Sequence, residues 1–241
     1  MTVMPKVWFV GAGPGDPELI TVRGMNLLQD ADVLVYAGSL VNPELVSRSG
    51  AAIKLDSWGM KLGDMVSVMA MHAKSGKTVV RLHSGDPSLY GAIVEQIDEL
   101  EKLGIGIGLV PGVSSLFAAA AALETQLTLR GISESVIVTR PAGKTLERDQ
   151  IEEMSRLGVT MVIFLGTEKL ETITGKLACS PDTPAAVVYH ASWPDQKIVR
   201  GTVADIAVLA RNAGIEHTAL LVIGGVVKPR ETGYTNSYLY S

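Results

Sequence analysis

The stretch FVGAGPGDPELITVRG, residues 9–24, leaves an apolar run, passes through a Gly- and Pro-rich turn and enters a segment of helical character. A strand, a tight turn and a helix in this order are typical of the first unit of a parallel α/β sheet. The tripeptide GDP of this turn recurs at residues 85–87, again after a predicted strand. Parallel strands end at one edge of a sheet, so we expect both GDP loops at the edge where α/β proteins bind ligands.

Short apolar runs alternate with amphipathic segments through the first half of the chain, which predicts a parallel sheet with helices on its faces. Helices are predicted over residues 21–31, 61–75 and 88–104, the last with an apolar stripe that starts at Leu89. The predicted strands cover residues 7–10, 33–36, 52–55, 78–82 and 108–112.

The second half predicts a mixed sheet. Its strands at 185–190 and 197–201 are separated by only six residues, too few for a crossover helix, so an antiparallel hairpin is expected. The Ala-rich segment 115–124 predicts a buried helix. Further strands are predicted at 135–138, 161–165 and 219–225. We therefore expect two α/β domains, 1–112 with a parallel five-stranded sheet and 113–241 with a mixed sheet and a polar tail.

Composition excludes several classes of function. A net charge of −4 over 241 residues gives no electrostatic footprint for nucleic acid. No apolar run reaches the roughly 20 residues of a membrane span, and no secretion signal is recognised. The single cysteine, Cys179, excludes an internal disulfide and a thiolate zinc site, and His72, His190 and His217 are scattered, so no metal site is expected. We expect a cytoplasmic protein without a membrane partner.

The first loop departs from the dinucleotide-binding fingerprint. Gly11 and Gly13 fit the pattern G-x-G-x-x-G, but the third glycine position holds Asp16, whose carboxylate would repel a pyrophosphate. Pro14 and Pro17 each lack a backbone N–H that a phosphate cradle would use. The second predicted strand also ends without an acidic residue for the ribose. An NAD-binding oxidoreductase is therefore a remote alternative, and a cationic, neutral or carboxylated ligand is favoured.

Four stretches in order give the chain a resemblance to a known family. Residues 9–24, 81–92 (RLHSGDPSLYGA), 110–124 (VPGVSSLFAAAAALE) and 187–203 (VVYHASWPDQKIVRGTV) are similar to the tetrapyrrole (corrin and porphyrin) methyltransferases, and the resemblance spans nearly the whole chain. The fourth stretch and the Ala-rich helix narrow the likeness to members that methylate carbon 11 of precorrin-4, or of its cobalt form, in cobalamin synthesis.

The resemblance implies a homodimeric C-methyltransferase that uses S-adenosylmethionine (SAM), releases S-adenosylhomocysteine and acts on a precorrin tetrapyrrole in the cleft between its two domains. A sulfonium methyl is already electrophilic, so alignment with a carbon nucleophile can supply roughly 7–11 kcal/mol without a covalent enzyme intermediate. Two alternatives stay open at this point. One is a sister activity on uroporphyrinogen III or another precorrin position, and the other is a non-catalytic binding module.

Site residues follow from the family motifs, position by position. Leu165 stands where the family often has Met, so the cofactor contact implied at this position departs from the family pattern. The cofactor-binding positions implied are Pro14, Ser84, Gly85, Asp86, Leu89, Ser114, Ser115, Leu165 and Ala191. The substrate-binding candidates are Gly13, Gly15 and Asp16 of the first loop, with Arg140 and Lys144 of the second domain.

Arginine pairs with carboxylates in bidentate fashion, so Arg140 is the main candidate for the carboxylates of a precorrin, and Arg81 and Arg23 are weaker ones. The group that handles the proton lost after methylation is unassigned. Asp16, Asp86 and His83 lie on the right loops for that role. Each has a structural alternative, since Asp16 can cap a helix, Asp86 can hold a turn or a ribose, and His83 can be a core histidine.

Overall fold

Two five-stranded sheets organise the chain in a computed structural model that describes residues 6–240. One sheet lies in a unit that ends at Ser115, and the other lies in a unit that begins at Leu116. Within the described residues, no helix combines the length and the apolar composition that crossing a bilayer requires.

The first sheet is parallel throughout, as predicted. Its strands pair in the order β3-β2-β4-β1-β5, so the strands that precede the two GDP loops, β1 and β4, are neighbours. The strands are β1 (Val7–Gly11), β2 (Val33–Tyr36), β3 (Ile53–Asp56), β4 (Val79–His83) and β5 (Ile107–Val110).

Helices cover both faces of this sheet. Helices α1 (Val22–Gln29) and α2 (Pro43–Arg48) bury Leu28 and Leu45 against one face, and α3 (Leu62–Lys74) and α4 (Val94–Lys102) cover the other. Successive side chains of a strand point to opposite faces, and the inner strand β2 is a continuous apolar run because both of its faces are covered, whereas the edge strand β3 (IKLD) alternates apolar and charged residues.

The helix predicted over residues 88–104 is only partly correct, because α4 begins at Val94. Tyr90 and Ala92 adopt left-handed φ values of +56° and +46°, which a right-handed helix excludes. Leu89 therefore lies before the helix and outside its apolar stripe. Helix α2 was not predicted, and it starts at an Asn-Pro-Glu sequence with Asn42 as its N-cap.

The second sheet is mixed, as predicted, in the order β6-β7-β10-β8-β9. Strands β6 and β7 are parallel, whereas β10 is antiparallel to both of its neighbours. Strands β8 and β9 form the predicted antiparallel hairpin. The strands are β6 (Val136–Thr139), β7 (Thr160–Ile163), β8 (Pro184–Tyr189), β9 (Lys197–Thr202) and β10 (Ala219–Ile223).

The Ala-rich segment forms the predicted buried helix, α5 (Ser115–Ala122), whose small side chains pack closely against one face of the second sheet. The opposite face is covered by α6 (Ile151–Ser155), α7 (Leu170–Lys176) and α8 (Ile206–Asn212). A short helix, α9 (Pro229–Thr232), leads into the C-terminal segment.

The polar C-terminal segment docks on the loop that contains Arg130. The N–H of Thr235 donates to the carbonyl of Arg130 at 2.9 Å, and the Arg130 guanidinium lies 3.5 Å from the ring centroid of Tyr238. A cation over an aromatic ring is an attractive contact, so the segment is held in place by side chains as well as by backbone.

Candidate functional site

The two GDP loops pair with each other at the carboxyl edge of the first sheet. The N–H of Gly13 donates to the carbonyl of Gly85 at 3.3 Å, and the N–H of Gly85 donates to the carbonyl of Gly13 at 2.7 Å. Both residues have positive φ, +82° and +61°, a region that favours glycine. Each of these two N–H groups donates to the carbonyl of the other glycine, so neither belongs to an open N–H cradle for a phosphate.

A third loop, after β5, closes on the first two through glycines. A Cβ on Gly112 would lie 2.2 Å from the carbonyl oxygen of Gly85, and one on Gly11 would lie 2.5 Å from the Cα of Gly112. A Cβ on Gly85 would lie 3.7 Å from the Cα of Ser114. The structure therefore brings together the loops that carry Gly13, Gly85 and Ser114, which the sequence assigned to one site.

The Asp86 carboxylate ties two of these loops together. Its Oδ2 accepts a hydrogen bond from the N–H of Gly112 at 2.8 Å. Its Oδ1 accepts from the N–H of Ser88 at 2.8 Å and also from the Ser88 hydroxyl. Partial burial acts to raise the pKa of Asp86, but the bonds from Ser88 and Gly112 together outweigh it and hold the pKa below its usual value. Asp86 is therefore a negative charge at the centre of the edge.

Asp16 caps the single 3-10 turn that follows the first loop. Its Oδ1 accepts a hydrogen bond from the N–H of Glu18 at 2.8 Å, so Asp16 has the N-cap role that was its structural alternative.

Asn42 fixes the first loop from a second side, because its Nδ2 donates to the carbonyl of Gly15 at 2.9 Å. The Oδ1 of Asn42 accepts from the N–H of Glu44 at 2.9 Å and so caps α2. One side chain thus joins the start of α2 to the first GDP loop.

Asn42→Asp is expected to keep the cap of α2, because aspartate and asparagine cap helices equally well. The substitution removes the donor to Gly15 and places a carboxylate against that carbonyl. We expect the free energy of unfolding, measured in urea, to fall by about 1–2 kcal/mol. Asn42→Ser, which retains a cap oxygen without the charge, is the control and should lose less. Equal losses in the two variants would show that the charge facing Gly15 has no effect.

The side chains of His83 and Arg81 are buried within the first unit, although His83 is the last residue of β4. His83 is 8% exposed, and its Nε2 has no hydrogen-bond partner among the described residues. Burial first, and the charge of Arg81 second, lower the pKa of His83 to about 3, so the imidazole is neutral and a weak base near pH 7. Arg81 is 5% exposed and donates to the Gln96 side chain and to the Val35 carbonyl, both at 3.4 Å.

The remaining predicted positions of the first unit lie on the same three loops. Pro14, Ser84 and Leu89 are half-buried, and the N–H of Leu89 donates to the carbonyl of Asp86 at 3.2 Å. Ser114 is buried and Ser115 begins α5. Arg23 lies apart, with its guanidinium 5.2 Å from the ring centroid of Trp8.

In the second unit, the predicted positions follow strands that run in one direction. Strands β6, β7 and β8 all end at the same edge, because β10 is antiparallel to both β7 and β8. Arg140 follows β6, Leu165 follows β7 and Ala191 follows β8. Arg140 is half-buried and donates to the hydroxyl of Thr145 at 2.6 Å and to its carbonyl at 3.1 Å, whereas Lys144 is exposed.

Backbone strain marks two of these positions. Leu165 has a φ of +54° and a 64% exposed side chain, an unusual combination for a large apolar residue. Buried Ala191 is flanked by His190 and Ser192, whose φ values are +45° and +73°. Such conformations concentrate at functional sites, where the surrounding structure holds them.

A side-chain pair that the sequence analysis missed holds the Ala191 loop. His190 Nδ1 lies 3.0 Å from both carboxylate oxygens of Asp195, and the His190 ring stacks on Tyr189 with centroids 3.9 Å apart. The N–H of Ser192 donates to the Gln196 side chain at 2.8 Å. No periodic pattern encodes such a loop, so the five-residue spacing from His190 to Asp195 carried no signal.

Comparison with known proteins gives one consistent result. Residues 6–207 match the model of the family described as Tetrapyrrole (Corrin/Porphyrin) Methylases. The cobalt-precorrin-4 C(11)-methyltransferase of Methanocaldococcus jannaschii is 48% identical over 239 residues, which cover 97% of this chain and 92% of that protein.

Two solved structures share the fold. A cobalt precorrin-4 methyltransferase of cobalamin biosynthesis superposes with a TM-score of 0.90 at 42% identity and covers 94% of this chain and 100% of that one. A uroporphyrin-III C-methyltransferase from Thermus thermophilus, complexed with S-adenosylhomocysteine, superposes with a TM-score of 0.79 at 29% identity and covers 92% and 99%.

Proposed function

The chain belongs to the tetrapyrrole (corrin/porphyrin) methylase family, and from that premise we propose that it transfers the methyl group of SAM to carbon 11 of precorrin-4 or cobalt-precorrin-4. The observation that carries the proposal is the match over nearly the full length to a relative of that name at 48% identity. Cobalt, where present, would be part of the substrate, and no group of three metal-ligating side chains occurs among the described residues.

The charges at the carboxyl edge of the first sheet support SAM as the cofactor. SAM carries a sulfonium and an ammonium, and an ionised Asp86 attracts such cations but repels a pyrophosphate. The pairing of Gly13 with Gly85 also uses amides that a dinucleotide would need. These features favour SAM over NAD, and a relative of the same fold contains S-adenosylhomocysteine.

In this proposal the chain contributes position and shape. SAM supplies an activated methyl group when bound. Gly85, the Ser84 and Ser114 hydroxyls and the backbone near Pro14 would hold it from the first unit, with Leu89 as an apolar contact. The family resemblance also assigns Leu165 and Ala191 as cofactor contacts. Alignment of this kind supplies most of what a methyl transfer requires.

The choice of proton acceptor narrows to the first GDP loop. His83, with a pKa of about 3, is too weak a base, and Asp86 is engaged by Gly112 and Ser88. We propose Asp16 as the candidate, because it lies on the first GDP loop beside Gly13 and Gly15, the other proposed substrate contacts, and its position is fixed by the cap bond from the N–H of Glu18.

Arg140→Ala is expected to raise the KM for the tetrapyrrole about tenfold while leaving the Kd for SAM unchanged, because a charged hydrogen bond to a substrate carboxylate is lost. Arg156→Ala is the matched control, since Arg156 is an exposed arginine at the C-cap of α6 that pairs with Glu152. Steady-state kinetics and equilibrium dialysis separate the two ligands. Equal weakening of both ligands would indicate misfolding and remove the substrate role.

A homodimer in the cytoplasm is part of the same proposal. The single cysteine fits a reducing compartment, and the dimer follows from the family resemblance. Static light scattering tests the dimer, and a monomer mass at assay concentration would contradict it.

A coupled incubation tests the reaction itself. Upstream enzymes would make the tetrapyrrole from labelled precursors, and this protein would be added with methyl-labelled SAM. We expect mass spectrometry to show one added methyl group and carbon NMR to place it at carbon 11. A methyl group at another carbon would assign the protein a sister activity of the same family. SAM binding without methyl transfer would overturn the substrate assignment.

A further inference from the structure

Trp58 presents its indole to solvent at the carboxyl edge of the first sheet. The side chain is 77% exposed, although aromatic residues of this size are usually well buried. Trp58 follows β3, which is parallel to β1 and β4, so its loop lies at the same edge as the two GDP loops. Its flat apolar face is therefore accessible to a ligand at this edge.

The Trp58 loop is held firmly in this position. Asp56 Oδ1 accepts from the N–H of Trp58 at 2.9 Å and from the N–H of Gly38 at 3.0 Å. Ser57 donates both its N–H, at 2.7 Å, and its hydroxyl, at 3.0 Å, to the carbonyl of Tyr36. A Cβ at Gly38 would lie 2.2 Å from Asp56 Oδ2, so the loop after β2 approaches the Asp56 side chain closely. These hydrogen bonds hold the loops after β2 and β3 together and fix the exposed position of Trp58.

The position of β3 in the sheet sets the size of a ligand that touches both Trp58 and the GDP loops. Strand β3 is two strands from β4 and three from β1. Neighbouring strands lie about 4.8 Å apart, so the Trp58 loop begins about 10 Å from the second GDP loop and about 15 Å from the first. A macrocycle of four linked rings with side chains at its rim is wide enough to reach across this distance.

The side chains around Trp58 indicate the chemistry of that ligand. Leu40, in the loop after β2, and Leu62, the first residue of α3, are 43% and 41% exposed and add apolar surface to the same edge. Lys61, the residue before α3, is exposed and adds a cation three positions from Trp58. A flat aromatic face with a neighbouring ammonium suits a broad conjugated ring that carries carboxylates.

We propose that Trp58 binds the substrate, with its indole stacked on one face of the tetrapyrrole and Lys61 paired with a carboxylate at the rim. This inference rests on the proposed function, because it takes the tetrapyrrole substrate from there. It adds a contact on the loop after β3, which the family motifs do not include.

Trp58→Ala and Trp58→Phe test the contact in the full-length protein with uroporphyrin III, a stable carboxylated tetrapyrrole, as the probe. We expect the Kd, measured by ultrafiltration and absorbance, to rise about tenfold in Trp58→Ala and to stay near the wild-type value in Trp58→Phe, since phenylalanine keeps a flat ring. The KM of methyl transfer should rise by the same factor, with the Kd for SAM unchanged. Met71→Ala is the control, because Met71 is 59% exposed near the far end of α3.

A Kd for uroporphyrin III within twofold of wild type in Trp58→Ala would overturn the proposal. Loss of the dimer in sedimentation velocity, with an unchanged Kd, would also overturn it by assigning Trp58 to a contact between two copies of the chain. Trp58-dependent binding of the probe by a wild-type protein that transfers no methyl group would support the Trp58 site and reject the proposed function.

Discussion

Gly112→Ala is expected to lower the free energy of unfolding by about 3 kcal/mol and to abolish SAM binding, because the new Cβ meets backbone on two sides. It would lie 2.2 Å from the carbonyl oxygen of Gly85 and 2.8 Å from the Cα of Gly11. No rotation of a flexible side chain relieves such contacts, so the loops after β1, β4 and β5 must separate. Urea denaturation measures the stability, and equilibrium dialysis with labelled SAM measures the affinity.

Gly63→Ala is the matched control in the same unit. A Cβ at Gly63, in the first turn of α3, meets nothing within 4 Å, so we expect wild-type stability or a gain of up to about 1 kcal/mol from helix propensity. Wild-type stability in Gly112→Ala would contradict the close approach of the three loops. A destabilised Gly112→Ala protein that binds SAM normally would retain the packing argument but separate these loops from the cofactor.

The strands were predictable from the sequence because their signal is local. Each run of apolar, β-branched residues is bounded by Gly, Pro or polar residues, and a segment such as 185–201 also contains the turn that determines hairpin pairing. The parallel first sheet and the mixed second sheet therefore follow from spacing alone, and both are confirmed.

The helix boundaries and the side-chain ties were less predictable because they depend on distant residues. The apolar stripe from Leu89 fits a helix, yet a Cβ at Gly91 would lie 2.1 Å from the Pro87 carbonyl, which shows how tightly the preceding turn is folded. The bond from Asn42 to Gly15 joins residues 27 positions apart, and no short-range pattern encodes it. The GDP repeat did predict one shared edge, but the contact between the loops was visible only in the structure.

Asp86→Asn is expected to weaken SAM binding at least tenfold and to lower the free energy of unfolding by about 2 kcal/mol at neutral pH. The amide keeps the shape of the carboxylate, but it loses the charge and turns an N–H₂ group toward at least one of the donors, Gly112 or Ser88. Ser88→Ala is a graded control, since it removes only the hydroxyl donor and leaves both backbone bonds, so a smaller loss of stability is expected.

The pH dependence distinguishes the charge of Asp86 from its shape. The folded-state pKa is lowered, so the carboxylate stabilises the fold above the unfolded pKa of about 3.9, and this stabilisation is lost as the pH falls through the lower, folded value. The difference in unfolding free energy between wild type and Asp86→Asn should therefore be constant from about pH 5 to 8 and shrink below about pH 4. A difference that stays constant in acid would mean that Asp86 acts by shape alone. The attraction between an ionised Asp86 and the cationic cofactor would then lose its support.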